Sequence, residues 1–266
     1  HAPVPTSASF LAKSVLFDGA DEYILEDDVT TWNGLIGGGG DTAKTYSVSF
    51  WFNPSAQVDT QPVLYSFGTL DRFLRASNTT WGASVLQAYQ DSSGNNRAIG
   101  TTNFSAGTWY HVAVTFAGGN SGLTTIYVNG ADDTDTTSTS GTPDVIAGIG
   151  TGLSVGGYKT SNNFAGYMCD FAVWDKELSA AEVLEIYGGG LRVNLTKTSP
   201  GSTNLLSWYK MGSDPLDVIL GGSAVIKDQV GGRDADPINF DAAGDIASVS
   251  PIFQPMYSYG ANGMPA

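Results

Sequence analysis

The sequence predicts an all-β protein, a two-sheet antiparallel jelly-roll sandwich with one short helix. Three observations predict this class. Many short segments alternate polar and apolar residues, glycine clusters separate these segments, and a single stretch has the start and stop signals of a helix. Strands of this kind, joined by turns, are typical of a sandwich whose inner faces form the core.

Seven segments show the alternation of a strand. In the first of them, YSVSFWF, serine alternates with large apolar residues. The fifth ends at Asn129-Gly130, a pair that tolerates positive φ and predicts a tight hairpin. The segments are 46–52, 63–67, 85–89, 109–116, 124–128, 153–155 and 167–174. The stretch 131–150 begins as an acidic Thr/Ser-rich sequence of low complexity, and we expect a loop there.

The helix is predicted to begin after Ser179. Ser179 and Glu182 have the spacing of a capping box, in which each side chain accepts from the other residue's backbone N–H. Leu178 and Val183 are spaced for a hydrophobic staple, and Gly188 provides a stop. We therefore expect a short surface helix that covers the sandwich.

Charge and composition exclude several classes of protein. The chain of 266 residues has 12 basic and 26 acidic residues, a net charge of -14. A nucleic-acid-binding protein needs basic residues to neutralise phosphates, so we expect no nucleic-acid partner. No apolar run approaches the length of a transmembrane helix, which predicts no membrane insertion. One cysteine and two histidines exclude a disulfide framework and argue against a multi-histidine metal centre.

Several motifs together resemble a known family. SVLFDG at 14–19, followed by Asp21 and Tyr23, resembles the "FDG…DY" opening of laminin-G-like domains. Matching motifs follow in order: SVSFW at 47–51, GTWYHVAVTF at 107–116, IYVNG at 126–130, SVGG at 154–157 and GYMCDFAVWDKELSAAEVLEIY at 166–187. The resemblance is to laminin-G-like domains of the concanavalin A-like lectin/glucanase superfamily. It covers residues 13–190 and implies a jelly roll of about a dozen strands.

The C-terminal part resembles the segment that precedes the "FDG" motif in such domains, although here it follows the domain. LLSWYKMG at 205–212, IKDQVGG at 226–232 and DPINF at 236–240 carry this likeness. Either the chain is circularly permuted and this segment completes the same sandwich, or the segment starts a truncated repeat that pairs with a neighbour. The stretch 208–214, with residues 244–246 and Pro251, is similar to laminin-G-like structural proteins of tailed marine viruses.

These motifs predict five regions along the chain. They are an extended N-terminal arm (1–12), the jelly roll (13–190), a polar connector (191–204), C-terminal strands that complete the sandwich or are swapped to a neighbour (205–250), and an extended tail (251–266). The two ends contain proline and apolar residues without periodicity, and they are candidates for self-assembly.

The acidic residues do not form the pattern of a glycosidase, so we predict no enzyme activity. Glycoside hydrolases use two carboxylates about 5–9 Å apart. The five glutamates show no E-x-D-x-E strand pattern: Glu22, Glu26, Glu177, Glu182 and Glu185. His111 and Cys169 lie within predicted strands without a nucleophile motif, and we interpret both as structural.

The resemblance implies one candidate cofactor, a structural calcium ion. In relatives, an aspartate of the "FDG" region and one in the strand before the final helix help to hold it. Asp18 matches the first position, and Asp170 lies beside the second, which Cys169 occupies. A thiol is a poor calcium ligand, so calcium is a possible cofactor and not a required one.

Three aromatic residues in loop-like surroundings are candidates for glycan binding. Trp32, Trp81 and Tyr158 lie among Gly, Asn and Thr, where an aromatic ring could stack on a sugar. The alternative is that each packs as a loop anchor.

The sequence thus supports two functions. The main prediction is a non-enzymatic structural protein on a particle surface, a virion capsid, decoration or fibre component that assembles through its termini with copies of itself or other virion proteins. The alternative is a secreted or cell-surface carbohydrate-binding adhesion module whose partners are surface glycans. The predicted location is accordingly the virion surface or the extracellular space.

Overall fold

The computed structural model describes most of the chain. The described residues are 13–36, 44–55, 61–68, 72–77, 82–90, 96–118, 123–139, 149–158, 162–241, 245–247 and 251. The predicted N-terminal arm and, apart from Pro251, the predicted C-terminal tail lie outside them, as does Trp81. None of the helices in the described ranges is long and apolar enough to cross a membrane.

Two antiparallel sheets of eight strands each form a sandwich, which confirms the predicted fold class. The strands are β1 (Ser14–Asp18), β2 (Tyr23–Glu26), β3 (Tyr46–Pro54), β4 (Val63–Phe67), β5 (Arg72–Ala76), β6 (Leu86–Tyr89), β7 (Asn96–Gly100), β8 (Tyr110–Phe116), β9 (Thr124–Val128), β10 (Ala131–Asp132), β11 (Thr134–Thr139), β12 (Leu153–Val155), β13 (Ala165–Trp174), β14 (Leu205–Tyr209), β15 (Asp236–Ile238) and β16 (Ile246–Ala247). Sheet A has the order β10-β9-β8-β3-β13-β1-β16, with β14 also paired to β13. Sheet B has the order β11-β7-β6-β5-β4-β12-β2-β15.

The core fills the space between the sheets with aromatic side chains. Phe50 of sheet A stacks on Phe171 at 5.7 Å between ring centroids and meets Tyr65 of sheet B edge-on. All three are fully buried. Aromatic rings bury large apolar areas, so this layer contributes much of the favourable free energy of folding.

The predicted helix, α2 (Ala180–Tyr187), lies on the outer side of sheet A. Its capping box is formed by Ser179 and Glu182, and Gly188 ends the helix in the left-handed conformation. Val183 and Ile186 are buried against Trp174 of β13. The sequence signals for this helix are local, which is why they predicted it correctly.

His111 and Cys169 are both buried in the strands in which the sequence places them. The imidazole of His111 is buried between Trp51 and Tyr187, and burial lowers its pKa to about 3. Burial also raises the pKa of the Cys169 thiol, which keeps it protonated and unreactive.

The C-terminal strands pair within the same chain. β14 pairs with β13, β15 with β2 and β16 with β1, all antiparallel. The C-terminal segment therefore contributes strands to both sheets of the sandwich that residues 13–190 begin.

A buried ion pair joins this segment to the sandwich. The guanidinium of Arg192 contacts both carboxylate oxygens of Asp170, and it also donates to Lys13 O at 3.0 Å and to Ser213 Oγ at 2.9 Å. Trp208 Nε1 donates to Asp170 Oδ1 at 3.1 Å. One guanidinium thus connects β13, the residue that precedes β1 and the chain beyond β14.

Some elements differ from the sequence predictions. Residues 134–139, expected to be a loop, form the edge strand β11, which pairs with β7. Thr and Ser suit an exposed edge strand, so this low-complexity stretch pairs without any apolar alternation. A second α-helix, α1 (Val29–Ile36), follows β2. Its Thr, Asn and Gly residues are weak helix formers, which hid it from propensity arguments.

Candidate functional site

The outer face of sheet B contains a cleft of about 380 Å³ beside strands β2 and β12. We call it the β2–β12 cleft. It is lined by Tyr23, Leu25, Asp27, Val29, Gly150, Thr151, Ser154 and Tyr158. This volume lies at the lower end of the range of small-molecule sites in proteins, about 300–1,000 Å³.

The alternation of side chains along β2 places one set of residues in the cleft. Ile24 and Glu26 are buried and point into the sandwich, whereas Tyr23 and Leu25 are half-exposed and line the cleft. Ser154 of β12 lies directly opposite Leu25 in the pairing register. The floor of the cleft is therefore built on two paired strands, which hold its side chains in fixed positions.

The loop before β12 approaches β2 very closely and forms a wall of the cleft. Gly152 has a φ of +58°, and a Cβ on it would lie 2.0 Å from the carbonyl oxygen of Glu26. A glycine is needed here both for the left-handed backbone and for the contact distance. This approach places Gly150 and Thr151 next to Asp27.

Helix α1 supports the cleft from behind. Trp32 is fully buried, donates its indole N–H to Glu26, and packs on Phe67 at 5.3 Å between ring centroids. The guanidinium of Arg233 lies 5.7 Å from the Trp32 ring. On the same helix, Asn33 Oδ1 accepts from the backbone N–H of Ile149 at 2.8 Å, which ties the loop to the helix.

Glu26 is held inside the sandwich as part of this support. Burial raises the pKa of its carboxyl group, and the hydrogen bonds donated by Trp32 and the Asp28 backbone oppose that effect. Its side chain lines a small internal cavity with Ile24 and Tyr209, on the opposite side of β2 from the cleft. Glu26 therefore does not reach a ligand in the cleft.

The structure describes two of the three predicted glycan-binding aromatics, and it places them differently. Tyr158 is half-exposed and lines the cleft. The candidate Trp32 does not present an open ring: it is fully buried under the cleft and packs as an anchor. Trp81 lies outside the described residues. Tyr23 also lines the cleft; it lies on a strand and not in a loop, and its alternation with buried Ile24 predicts an outward side chain.

The two predicted calcium ligands do not come together. Asp18 pairs with Ala165 at one end of β13, whereas Asp170 lies five residues further along that strand, about 16 Å away at the rise of a β-strand. Both oxygens of Asp170 are bonded to the guanidinium of Arg192. Asp18 and Asp170 therefore do not form a shared metal site, and a cationic side chain neutralises Asp170 instead.

Other carboxylates lie close together near the "FDG" motif. Oxygens of Glu22, Asp241 and Asp245 lie within 4.8 Å of one another. Glu22 Oε2 also accepts from the backbone N–H of Asp18 at 2.6 Å. Burial and, secondarily, the neighbouring carboxylates raise the pKa of Glu22 to about 7, against the lowering effect of the Asp18 hydrogen bond.

Comparisons with solved structures extend the fold assignment over most of the chain. A candidate carbohydrate-binding protein from Bacteroides ovatus ATCC 8483 is 21% identical, with a TM-score of 0.59. The similarity covers 91% of this chain and 61% of that protein, so this chain spans about three fifths of its length. At this identity the similarity establishes a shared fold.

Two further structures are more distant. A heptameric SAP-like pentraxin from Limulus polyphemus is 15% identical over 68% of this chain and 84% of that one, with a TM-score of 0.47. The CBM40 domain of the Ruminococcus gnavus IT-sialidase, solved with α2,3-sialyllactose, is 13% identical over 66% of this chain and 97% of that one, also with a TM-score of 0.47. A search of curated proteins finds no match to this chain.

The family assignment comes from the sequence match itself. Residues 18–184, more than half of the chain, match the laminin-G family that is described as "Concanavalin A-like lectin/glucanases superfamily". The matched region begins at the aspartate of the "FDG" motif and ends within α2, so it contains the strands β2 to β13. The protein therefore belongs to the concanavalin A-like lectin/glucanases superfamily, in its laminin-G branch.

Proposed function

We propose that the protein is a non-enzymatic carbohydrate-binding module and that the β2–β12 cleft is its glycan site. The observation that carries this proposal is the pairing of two half-exposed tyrosines, Tyr23 and Tyr158, with hydroxyl and carboxylate groups in one cleft. Aromatic faces suit the apolar C–H faces of sugars, while Asp27 and Thr151 suit their hydroxyls. The family membership and the name of the Bacteroides ovatus protein agree with this function.

The carboxylates around the cleft support binding and not hydrolysis. A glycosidase needs a general acid whose pKa is raised by burial, beside a second carboxylate. Asp27 in the cleft and Asp236 on the adjacent β15 are both exposed. The buried Glu26 faces the interior of the sandwich. A site of this kind can hold a sugar but lacks a buried acid facing it among the described residues.

Alanine variants of the two cleft tyrosines test the proposal. The full chain and its Tyr23→Ala and Tyr158→Ala variants would be applied to an array of oligosaccharides, with affinities then measured by calorimetry. Loss of a stacked ring is expected to weaken binding about tenfold or more, the equivalent of about 1.4 kcal/mol. Tyr167→Ala is the matched control, because this half-exposed tyrosine lies on β13 of sheet A beside Trp109.

Two results would contradict the proposal. One is binding that the cleft variants leave unchanged while Tyr167→Ala abolishes it. The other is release of reducing sugar from a polysaccharide panel by the wild-type chain but not by an Asp27→Asn variant. Thermal melting of each variant shows whether a loss of binding reflects a loss of fold.

The particle-surface function remains a separate prediction. It rests on residues 1–12 and 251–266 and on the likeness of the C-terminal segment to viral structural proteins, and nearly all of these terminal residues lie outside the described ones. Light scattering of the full chain beside a version without these ends tests it. If assembly requires the two ends, a structural role on a virion or another particle gains support. For both the glycan-binding and the particle-surface function, the proposed location is outside the cell or on a surface.

A further inference from the structure

The β2–β12 cleft is negatively charged among its described residues. Asp27 is the only described lining residue with an ionisable acidic or basic group apart from the two tyrosines. Asp236 on β15 lies directly opposite Leu25 of the cleft in the pairing register, and directly opposed residues of paired strands point to the same face. Two exposed carboxylates therefore stand on the β2 side of the cleft.

The guanidinium that packs on Trp32 is engaged by the framework of the site. Arg233 lies against Trp32 behind the cleft, donates to Leu206 O, and donates to Ser207 Oγ at 3.0 Å. Its charge opposes the burial that raises the pKa of Glu26, and it adds to the hydrogen bonds from Thr31 that lower the pKa of Asp28. It therefore faces the framework of the site and not its opening.

Carboxylates select a ligand by charge as well as by hydrogen bonding. A carboxylate accepts strong hydrogen bonds from neutral sugar hydroxyls. A carboxylate on the ligand, 4 Å from a carboxylate of the protein, would lower the affinity about fivefold by repulsion even at the dielectric constant of water. The loss would be larger at the lower effective dielectric constant of a protein surface. The net charge of -14 adds a long-range field of the same sign, which slows the approach of anionic ligands.

We infer that the β2–β12 cleft selects neutral, hydroxyl-rich saccharides and discriminates against sialylated, uronate and sulfated ones. The inference rests on the proposed function, and it adds the chemical class of the ligand. The volume of about 380 Å³ further indicates a short saccharide epitope at the site. An anionic sugar gives up water bound to its charged group when it enters the cleft, and no cation among the described lining residues replaces that water. A neutral sugar has no charged group and avoids this cost.

The test compares matched glycan pairs that differ only in an acidic group. The full chain would be titrated with neutral oligosaccharides and with their sialylated, uronate or sulfated counterparts, each in the presence of EDTA and of calcium chloride. We expect the neutral member of each bound pair to bind about tenfold tighter or more. Raising the ionic strength from about 0.02 M to about 0.5 M should narrow this ratio, because salt screens exposed charges.

Charge variants assign the selectivity to the cleft. Asp27→Asn should reduce the ratio of the neutral to the acidic affinity several-fold. Asp27→Lys should reduce this ratio further, or make the acidic glycan the tighter ligand. Asp135→Lys makes the same change of charge on β11, at the other edge of sheet B, and should leave the ratio within about twofold.

The outcomes separate this inference from the function on which it rests. Equal or tighter binding of the acidic members, with or without calcium, would overturn the neutral-sugar inference while leaving carbohydrate binding in place. Absence of binding to every member of the panel would overturn the proposed function, and the inference would fall with it. If Asp135→Lys changed the ratio of neutral to acidic affinity as much as Asp27→Lys, net charge alone would set the selectivity. That result would also overturn the assignment of the selectivity to the cleft.

Discussion

Replacing Arg192 with methionine should destabilise the fold strongly, because it leaves a buried carboxylate without its cation. Arg192 is 2% exposed and Asp170 is 5% exposed. Removal of the guanidinium breaks two hydrogen bonds to Asp170 and those to Lys13 O and Ser213 Oγ. The indole N–H of Trp208 would still donate to Asp170 Oδ1, but a neutral indole cannot balance the charge of the carboxylate.

The expected loss follows from measurements on buried pairs. Removal of one partner from a buried ion pair costs about 3–5 kcal/mol, because the remaining charge is desolvated and uncompensated. For a chain of this size, about 2 °C of melting temperature is lost per kcal/mol, so the midpoint should fall by about 6–10 °C. Urea unfolding followed by tryptophan fluorescence measures the free energy without adding salt, which would screen other charges.

Two further variants make this measurement specific. Lys210→Met is the matched control, because the Lys210 ammonium only lies over the Trp208 ring at 5.1 Å; it should cost less than about 1 kcal/mol. The double variant Asp170→Asn with Arg192→Met should recover part of the loss, since it removes the orphaned charge. Together with the single variant Asp170→Asn, it completes the double-mutant cycle that measures the coupling between the two residues.

A small effect would refute the reasoning. If Arg192→Met lost less than about 1 kcal/mol, Asp170 would have to be solvated or paired in another way. Calcium provides the sharpest alternative, because the family resemblance implies a calcium ion near this position. If calcium chloride stabilised the wild-type protein, EDTA reversed this, and an Asp170→Asn variant showed neither change, calcium and not the ion pair would neutralise Asp170.

Three further predictions concern the cleft and the buried titratable groups. Gly152→Ala should cost about 2–4 kcal/mol of unfolding free energy and weaken glycan binding, because its Cβ would collide with Glu26 O at a positive φ. Gly150→Ala in the same loop has open space around it and is the control for stability, so equal losses of stability in both would refute the argument. The pKa of Glu22 is raised to about 7, so its contribution to stability is complete below pH 4.5 and disappears as the pH rises through 7. Between pH 5 and pH 8 the unfolding free energy of the wild-type protein should therefore fall by about 1–2 kcal/mol, after allowance for solvent screening. Urea unfolding at the two pH values should show that this fall is absent in Glu22→Gln. The same unfolding measurements with calcium chloride test whether an ion binds Glu22, Asp241 and Asp245. A bound ion would reduce the loss of stability between pH 5 and pH 8 in the wild-type protein and not in Glu22→Gln. The pKa of His111 is lowered to about 3, so its contribution to stability is complete above pH 6.5 and is lost as the pH falls. At pH 4.5 the wild-type protein should have lost about 2–3 kcal/mol of unfolding free energy that His111→Phe retains. Parallel profiles of stability against pH for the two proteins would contradict this.

The predictable parts of this structure are those whose signals are local. Alternation placed β3, β4, β8, β9 and β13 to within two residues, because a strand with one face in the core must alternate along its own sequence. The capping box placed α2, since Ser179 and Glu182 lie within one helical turn of each other. Helix α1 has a local signal as well, because Asp28 accepts from the backbone N–H of Thr31 as an N-terminal cap does, but its weak helix formers masked that signal.

The candidate site was only partly predictable, for a physical reason. A loop aromatic and a packed anchor have similar sequence surroundings, and burial depends on what lies across the fold. Trp32 is buried in a contact with Phe67 and Arg233, which are distant in sequence and pack against its ring. Tyr158 lines a cleft because β2 happens to run beside β12.

By itself, the sequence determined the class of fold, the position of the surface helix, the acidic charge and the family. Each of these depends on composition or on residues close together in the chain. Tertiary structure alone decided which carboxylates are neutralised, which aromatics are exposed and where the C-terminal strands pair. Asp170 forms a buried ion pair because Arg192, 22 residues further along the chain, lies against it. Such contacts join residues that are far apart in sequence, and no local pattern encodes them.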